Sequence, residues 1–287
     1  MTQAARSDPA SCEATLSGAE FRVIADMLYA DAGIHLAANK TSLVYSRLAK
    51  RLRALNMETF SDYCALVSSE AGREERGEML SALTTNVTRF FRERHHFEHL
   101  QRELAPSLLA HARAGGKVRL WSAACSSGQE AYSMALCLLA VDPQATRYDV
   151  KILATDIDPR VVAEARAGVY RAAALADVPA DQRARRFIPR GESFAADDDM
   201  RALIAFRVLN LNADWPMRGA FDAIFCRNVA IYFDDATQHR LWSRLARQMA
   251  GHGWLYIGHS ERVAGPAAQQ LVASGVTAYR LKGASQA

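Results

Sequence analysis

The sequence predicts an all-α N-terminal region followed by a doubly wound α/β domain with a mostly parallel sheet. Three observations carry this. Residues 16–110 repeat their apolar positions with helical period and contain few Gly or Pro. From residue 117 onward, short β-rich runs alternate with helical ones, the pattern of βαβ units. At 287 residues and 50% hydrophobic, the chain can bury two cores without disulfide or metal support.

In chain order, residues 1–14 are small and polar with no apolar stretch, and read as a disordered tail rather than a secretory signal. A helical domain is expected over 15–82. A linker helix follows at 83–115, ending at the Gly115-Gly116 pair, and the sheet domain covers 116–284. Within it, 117–121 (KVRLW), 150–155 (VKILAT), 206–211 (FRVLNL), 221–226 (FDAIFC) and 254–257 (WLYI) read as buried strands. Residues 128–141, 159–167 and 236–250 read as helices, and 276–281 can close an antiparallel edge. Residues 168–205 fit the alternation poorly and are expected to be an insertion.

Composition excludes several classes. No run approaches the roughly 18–20 apolar residues of a membrane-spanning helix. The five cysteines form no CxxC pair, which argues for reduced thiols and no zinc site. His95 and His96 are adjacent, so on a helix they diverge by about 100° and do not share a metal easily; no metal is expected. With 35 basic against 31 acidic residues, the charge is too balanced for a nucleic-acid enzyme. Basic residues nevertheless crowd 40–53, 89–102 and 183–190, which suggests local anionic partners.

Ligands of open α/β sheets bind beyond the carboxyl ends of the strands. Three such ends here carry suggestive residues. The first strand is followed by SAACSSGQE at 122–130, a small-residue turn leading into a helix N-terminus and ending in Glu130. It is not GxGxxG, so dinucleotides are disfavoured. After the second strand come Asp156 and Asp158. Asp158, directly before Pro159, suits a helix cap and leaves Asp156 for the hydroxyls of a ribose. After the fourth strand come Arg227 and Asn228, whose polarity at the end of a buried strand is hard to assign to packing.

Six runs together resemble one family: TTNVTRFFR at 84–92, WSAA at 121–124, TDID at 155–158, FDAIFCRN at 221–228, IYF at 231–233 and GHSE at 258–261. They are similar, in order and over roughly residues 19–281, to the chemotaxis receptor glutamate methyltransferases, the CheR family. The resemblance implies a class I (Rossmann-like) methyltransferase domain with a mostly parallel seven-stranded sheet and a small β-subdomain insertion, preceded by an all-α domain. It also implies S-adenosylmethionine as cofactor and S-adenosylhomocysteine as product. On that footing Asn86 and Thr88 contact the cofactor and Arg92 lies beside the transferred methyl. Glu130 holds the methionine end, Asp156 the ribose, and Asn210 and Leu211 border the adenine. Arg227, Asn228 and Tyr232 complete the site, with Arg92 and Tyr232 as the catalytic pair. One departure from the family is Gln129-Glu130-Ala131 where Glu-Glu-Pro is frequent, which puts the helix start in doubt.

The implied reaction forms a methyl ester on specific glutamates of chemotaxis receptors, by direct attack of an ionised carboxylate without a general base. Residues 39–55 place Lys40, Arg47, Lys50 and Arg51 in one arc beside an apolar face of Val44, Tyr45, Leu48, Leu52 and Leu55. By the resemblance this basic arc docks the acidic helical domain of the receptor. A monomer is expected, cytoplasmic and recruited to membrane-bound receptor arrays. The insertion is expected to be short and the enzyme independent of a receptor tether. The product, which lacks one methyl and one charge, is expected to bind well and inhibit. The alternative from another class is a non-catalytic, cofactor-sensing adaptor in a signalling array.

Overall fold

The computed structural model describes residues 15–283, so the tail expected at 1–14 lies outside the described residues. The chain divides into two units. One runs to Asp31 and resumes over residues 36–83, and the other holds 32–35 and everything from Thr84.

The first unit is helical. It contains α1 (Gly18–Ala32, whose last residue belongs to the other unit), α2 (Thr41–Ala54), α3 (Phe60–Ser68) and α4 (Arg73–Leu83), with single 3-10 turns before α2 and α4. Residues 39–55 therefore form a 3-10 turn at Ala38–Lys40 and then α2, rather than one continuous helix. Val44, Leu48 and Leu52 of α2 are buried as the apolar stripe requires, while Leu55, past the helix end, is exposed. Thr59 caps α3 by accepting from Asp62 N. Glu75 of α4 is buried and takes a bond from Tyr63 Oη at 2.9 Å.

The second unit begins with residues 84–94, which are not helical. Helix forms only at α5 (His95–His99), passes through a π turn at Leu100–Leu104 and continues as α6 (Ala105–Arg113). The linker helix expected from residue 83 therefore starts twelve residues late by element bounds. The physical reason is local: Phe91 (φ 51°) and Glu93 (φ 55°) adopt left-handed backbone, incompatible with a right-handed helix.

The sheet domain then follows βαβ order: β1 (Val118–Ala123), α7 (Gln129–Val141), β2 (Val150–Asp156) and α8 (Pro159–Ala167). The insertion holds β3 (Val169–Arg171), α9 (Ala180–Arg186), β4 (Phe187–Arg190), β5 (Ser193–Ala196) and α10 (Asp198–Leu203). Last come β6 (Ile204–Val208), β7 (Phe221–Cys226), α11 (Asp235–Gln248), β8 (Met249–Ile257), α12 (Ala267–Gln270), β9 (Leu271–Gly275) and β10 (Ala278–Leu281). The seven-stranded sheet has the order β6-β2-β1-β7-β8-β10-β9, parallel except that β10 runs antiparallel to both its neighbours. The insertion forms its own antiparallel sheet, β3-β5-β4.

Three strand expectations are corrected. The run expected at 206–211 is β6, whose pairing with β2 sets it at Ile204–Val208 and leaves Asn210 and Leu211 beyond its end. The insertion accordingly ends at Leu203. The run at 276–281 is not the edge: β10 lies between β8 and β9, and β9 (LVASG), too small-residue-rich to announce itself, forms the border. β8 extends back to Met249 through Gly251 and Gly253, whose lack of side chain hid the strand. By contrast β7 and α8 occupy the expected residues. Asp158 accepts from Arg160 N at 2.9 Å and caps α8, with Pro159 at its first position.

Candidate active site

The carboxyl ends of β1, β2 and β7 all point into one region, because parallel strands put their C-termini on the same side of the sheet. Backbone in left-handed conformation concentrates there: Ala124 (φ 68°), Ser126 (φ 49°) and Gly128 (φ 94°) after β1, and Asn228 (φ 58°) after β7. Such a cluster singles out this end of the sheet as the candidate site. Gly128 is forced, since a Cβ there would meet Ala165 Cβ at 2.9 Å and Tyr170 Oη at 3.0 Å. The helix after this turn starts at Gln129 without the proline frequent in the family.

Four carboxylates and one guanidinium organise the region. Glu130 is buried. Its Oε1 accepts from Ser122 Oγ at 2.6 Å and its Oε2 from Arg227 Nη1 at 3.0 Å. Burial pushes the Glu130 carboxyl up, against the pull of Arg227 and Ser122. Arg227, also buried, donates from Nη2 to Arg92 O, approaches Glu93 Oε2 at 3.4 Å and lies 5.3 Å over the Phe97 ring. Glu93 Oε1 accepts from Asn228 Nδ2 at 3.3 Å, from His259 N at 3.2 Å and, with His259 protonated on Nδ1, from that nitrogen at 3.0 Å. Partial burial raises Glu93, but Arg227, His259 and Asn228 outweigh it and hold the carboxyl down at about 2. The two acids on one guanidinium thus shift oppositely: burial dominates at Glu130, whereas Arg227, His259 and Asn228 together outweigh it at Glu93.

Asp156 Oδ2 accepts from Ser126 N at 2.8 Å and its Oδ1 from Asp158 N at 3.0 Å. Burial pushes its carboxyl up. Glu261 collects four backbone donors: Asn228 N at 2.9 Å and Gly258 N at 2.5 Å on Oε2, and Val229 N at 2.9 Å and Ala230 N at 2.7 Å on Oε1. Burial nevertheless pushes its carboxyl up. It thereby pins the loop that follows β7 to the loop that follows β8.

The expected site residues separate into groups. Glu130 and Arg227 bond directly. Asn86 Nδ2 donates to Asp158 Oδ2 at 3.1 Å and its carbonyl accepts from Ser126 Oγ at 2.9 Å, which joins the 84–94 segment to the Asp156 loop. Thr88 is half-buried in the same segment. Arg92 is half-buried, and its Nη1 donates to Val87 O at 3.0 Å. Asn210 Oδ1 turns back to accept from Asn212 N at 2.8 Å, and Leu211 is buried in the core with Trp121 and Leu241. Tyr232 is half-buried on a 3-10 turn, its carbonyl accepting from His35 N at 2.8 Å. In the helical unit, Arg51 makes a bidentate pair with Glu75 (3.0 and 2.5 Å) and lies 3.2 Å from Glu78. Arg47 Nη1 donates to Leu83 O at 2.8 Å. These two arginines tie α2 to α4, whereas Lys40 and Lys50 are exposed. Sequence reasoning assigned no role to Glu93, Glu261 and Ser122. The carboxylate inside GHSE was the available signal for Glu261; Glu93 had only its place directly after the FFR run.

Among the described residues no group of three or more His, Cys, Asp or Glu is placed to hold a metal, and no helix is long and apolar enough to cross a membrane. The donor set does suit a nucleoside carrying an amino acid. The Asp156 carboxylate is held by backbone donors on both oxygens, and an acidic group so oriented at a strand end suits the hydroxyls of a ribose. Glu130 offers a buried carboxyl group to an ammonium, and the 122–128 turn is built of small residues.

Residues 86–279 match the CheR methyltransferase SAM-binding domain, and residues 19–84 match the CheR methyltransferase all-alpha domain. The chain belongs to the CheR methyltransferase family. It is 53% identical over 258 residues to a probable chemotaxis protein methyltransferase of Rhizobium etli, covering 88% of this chain and 96% of that one. It is 42% identical to chemotaxis protein methyltransferase 2 of Pseudomonas aeruginosa (84% and 86% covered) and 40% identical to the chemotaxis protein methyltransferase of Escherichia coli (86% and 85%). This CheR-family chain is therefore a chemotaxis methyltransferase with an S-adenosylmethionine-binding domain. Glu130 and Asp156 are the acidic groups whose chemistry suits that cofactor, while Asn86 and Arg227 hold the segments around them.

Proposed function

We propose that this enzyme methylates glutamate side chains on the cytoplasmic helical domain of chemotaxis receptors, forming methyl esters. The observation that carries the proposal is Arg92. One hydrogen bond to Val87 O orients its guanidinium, its own carbonyl is held by Arg227, and no other hydrogen bond occupies its donors among the described residues. A guanidinium oriented by one hydrogen bond, on a backbone held by Arg227, has donors to spare for a carboxylate acceptor, which it binds in a forked geometry.

S-adenosylmethionine supplies an electrophilic methyl on a positively charged sulfur. The acceptor, a glutamate with an ordinary pKa of about 4.3, arrives ionised, so no residue of the chain need remove a proton. Arg92 aligns the carboxylate and displaces its water, Tyr232 shapes the pocket wall, and Glu130 with Asp156 keeps the cofactor in register. The oxygen–carbon bond forms as the carbon–sulfur bond breaks, and the thioether product leaves neutral at sulfur.

The test is transfer of radiolabelled methyl from S-adenosylmethionine into receptor-containing membranes. Label released by mild alkali is expected for wild type. Arg92→Ala should lower the rate about 100-fold or more while leaving cofactor affinity within a few-fold, as for loss of a group acting on the acceptor. Alkali-stable label would exclude an ester. Cofactor binding without transfer would favour the adaptor reading.

Docking through α2 is part of the same proposal, carried by the two exposed lysines of the basic arc. Lys40→Glu/Lys50→Glu is expected to raise the KM for receptor by about tenfold with little change in kcat. The effect should shrink as salt is raised, because exposed charges are screened within about 8–10 Å. An unchanged KM at low salt would place docking elsewhere.

A further inference from the structure

We propose that Glu93 is a specificity-determining residue that favours the positively charged cofactor over its neutral product. The inference rests on the methyl-transfer reading of the site and is independent of which acceptor is methylated.

Glu93 occupies a position that packing alone does not explain. It follows directly on Arg92, in left-handed backbone (φ 55°), and its side chain is turned towards the ends of β7 and β8. There it meets Arg227 on Oε2 and Asn228 and His259 on Oε1. Its Oε2 is buried without a hydrogen bond among the described residues, 3.4 Å from Arg227 Nη2 and 3.6 Å from His96 Nδ1. His96 cannot answer it with charge: burial and the neighbouring Arg227 hold that imidazole down at about 3, so it is neutral at physiological pH. Arg227 already has Glu130 as its close partner at 3.0 Å. Glu93 is therefore a second carboxylate on one guanidinium, and it is ionised at any physiological pH.

The consequence is a matter of charge. Whatever the proton on Glu130 does, Glu93 adds one negative unit to the network that seats Arg92, Arg227 and Glu130. Cofactor and product carry the same amino acid and nucleoside and differ by the sulfonium charge. A fixed anion in a partly water-excluded site favours the cation by a Coulomb term that the thioether does not feel. Arg92 and Arg227 act in the opposite sense, and without Glu93 the balance tips towards the product. The effect on turnover is a weaker product inhibition than the site would show without Glu93.

The experiment is calorimetric titration of the full chain with S-adenosylmethionine and with S-adenosylhomocysteine, without receptor. Glu93→Gln keeps the shape and an oxygen acceptor but removes the charge. It is expected to raise the ratio of cofactor Kd to product Kd about fivefold or more, mainly by weakening the cofactor. Glu93→Asp retains the charge and should return the ratio to near wild type. His259→Lys brings a fixed cation beside Glu93 on an exposed side chain. It is expected to shift the ratio in the same direction, by less, and keeps the test available should Glu93→Gln fold poorly. An unchanged ratio in Glu93→Gln, or in His259→Lys where Glu93→Gln does not fold, would overturn the proposal, as would equal weakening of both ligands. A shifted ratio with no alkali-labile label on receptors would leave this inference standing and remove the glutamate reading.

Discussion

Arg227→Ala is expected to abolish measurable cofactor binding and to destabilise the sheet unit by roughly 3–5 kcal/mol, the cost of stranding buried charge by removing its partner. Two acids lose their counter-ion at once, Glu130 at 3.0 Å and Glu93 at 3.4 Å, and the Arg92 carbonyl loses its donor. Calorimetric unfolding should show the transition of the sheet unit falling on the order of 10 °C. Its pH dependence is also informative. Glu93 is held at about 2 in the folded chain against about 4.3 when unfolded, so it contributes stability above pH 4.3 that is lost as pH falls through 2. The gap between wild type and Arg227→Ala should therefore narrow between about pH 4.3 and pH 2. A gap independent of pH over that range would mean that Arg227 does not hold Glu93 ionised.

Glu261→Gln is expected to cost about 3 kcal/mol and to reduce methyl transfer by an order of magnitude or more, although Glu261 is assigned no contact with any reactant. An amide replaces one acceptor oxygen by a donor, which then faces two backbone N–H groups in a buried setting. The loop from Arg227 to Tyr232 loses its anchor, and with it the placement of Arg227 and Asn228. The two loops meet closely at Gly258, where a Cβ would collide with Asn228 and Glu261, so no larger residue fits there. Retained transfer with a lowered melting temperature would separate the anchor from the chemistry. Retention of both would show that the four N–H groups find other acceptors.

The contrast between Glu130 and Glu93 indicates what a sequence discloses about such a site. Glu130 stands after a small-residue turn at the head of a helix, and Asp156 at the end of an apolar strand, so both are polar residues in visibly wrong company. β7 and α8 were legible to the residue because an unbroken apolar run and an Asp-Pro cap leave little freedom. Glu93 sits in a charged stretch where another carboxylate attracts no notice. Its importance arises from Asn228 and His259, 135 and 166 residues away.

The basic arc on α2 shows the same limit from the other side. Helical periodicity placed Arg47, Lys50 and Arg51 on α2 beside the apolar stripe, whereas Lys40 lies in the 3-10 turn before the helix. Periodicity could not know that α4 brings Glu75 and Glu78 to the margin of that stripe, so that Arg51 and Arg47 turn inward to an acid and to carbonyls. The linker helix fails for a local reason, the left-handed backbone at Phe91 and Glu93, and bonds from Ser126 Oγ to Asn86 O and from Phe91 N to Ser133 Oγ then hold the non-helical segment in place.

Sequence by itself determined the two-part organisation, the βαβ alternation and the family, because apolar period and motif order are local properties of the chain. Tertiary structure alone decided which charges are spent on packing and which are left to act. It turned Arg51 into a helix tie, made Glu261 an anchor, and gave Arg227 two acids while leaving Arg92 with donors to spare. The physical reason is that a charge acquires its role from the partners within a few ångströms and from the water excluded around it, and both are set by contacts distant in sequence.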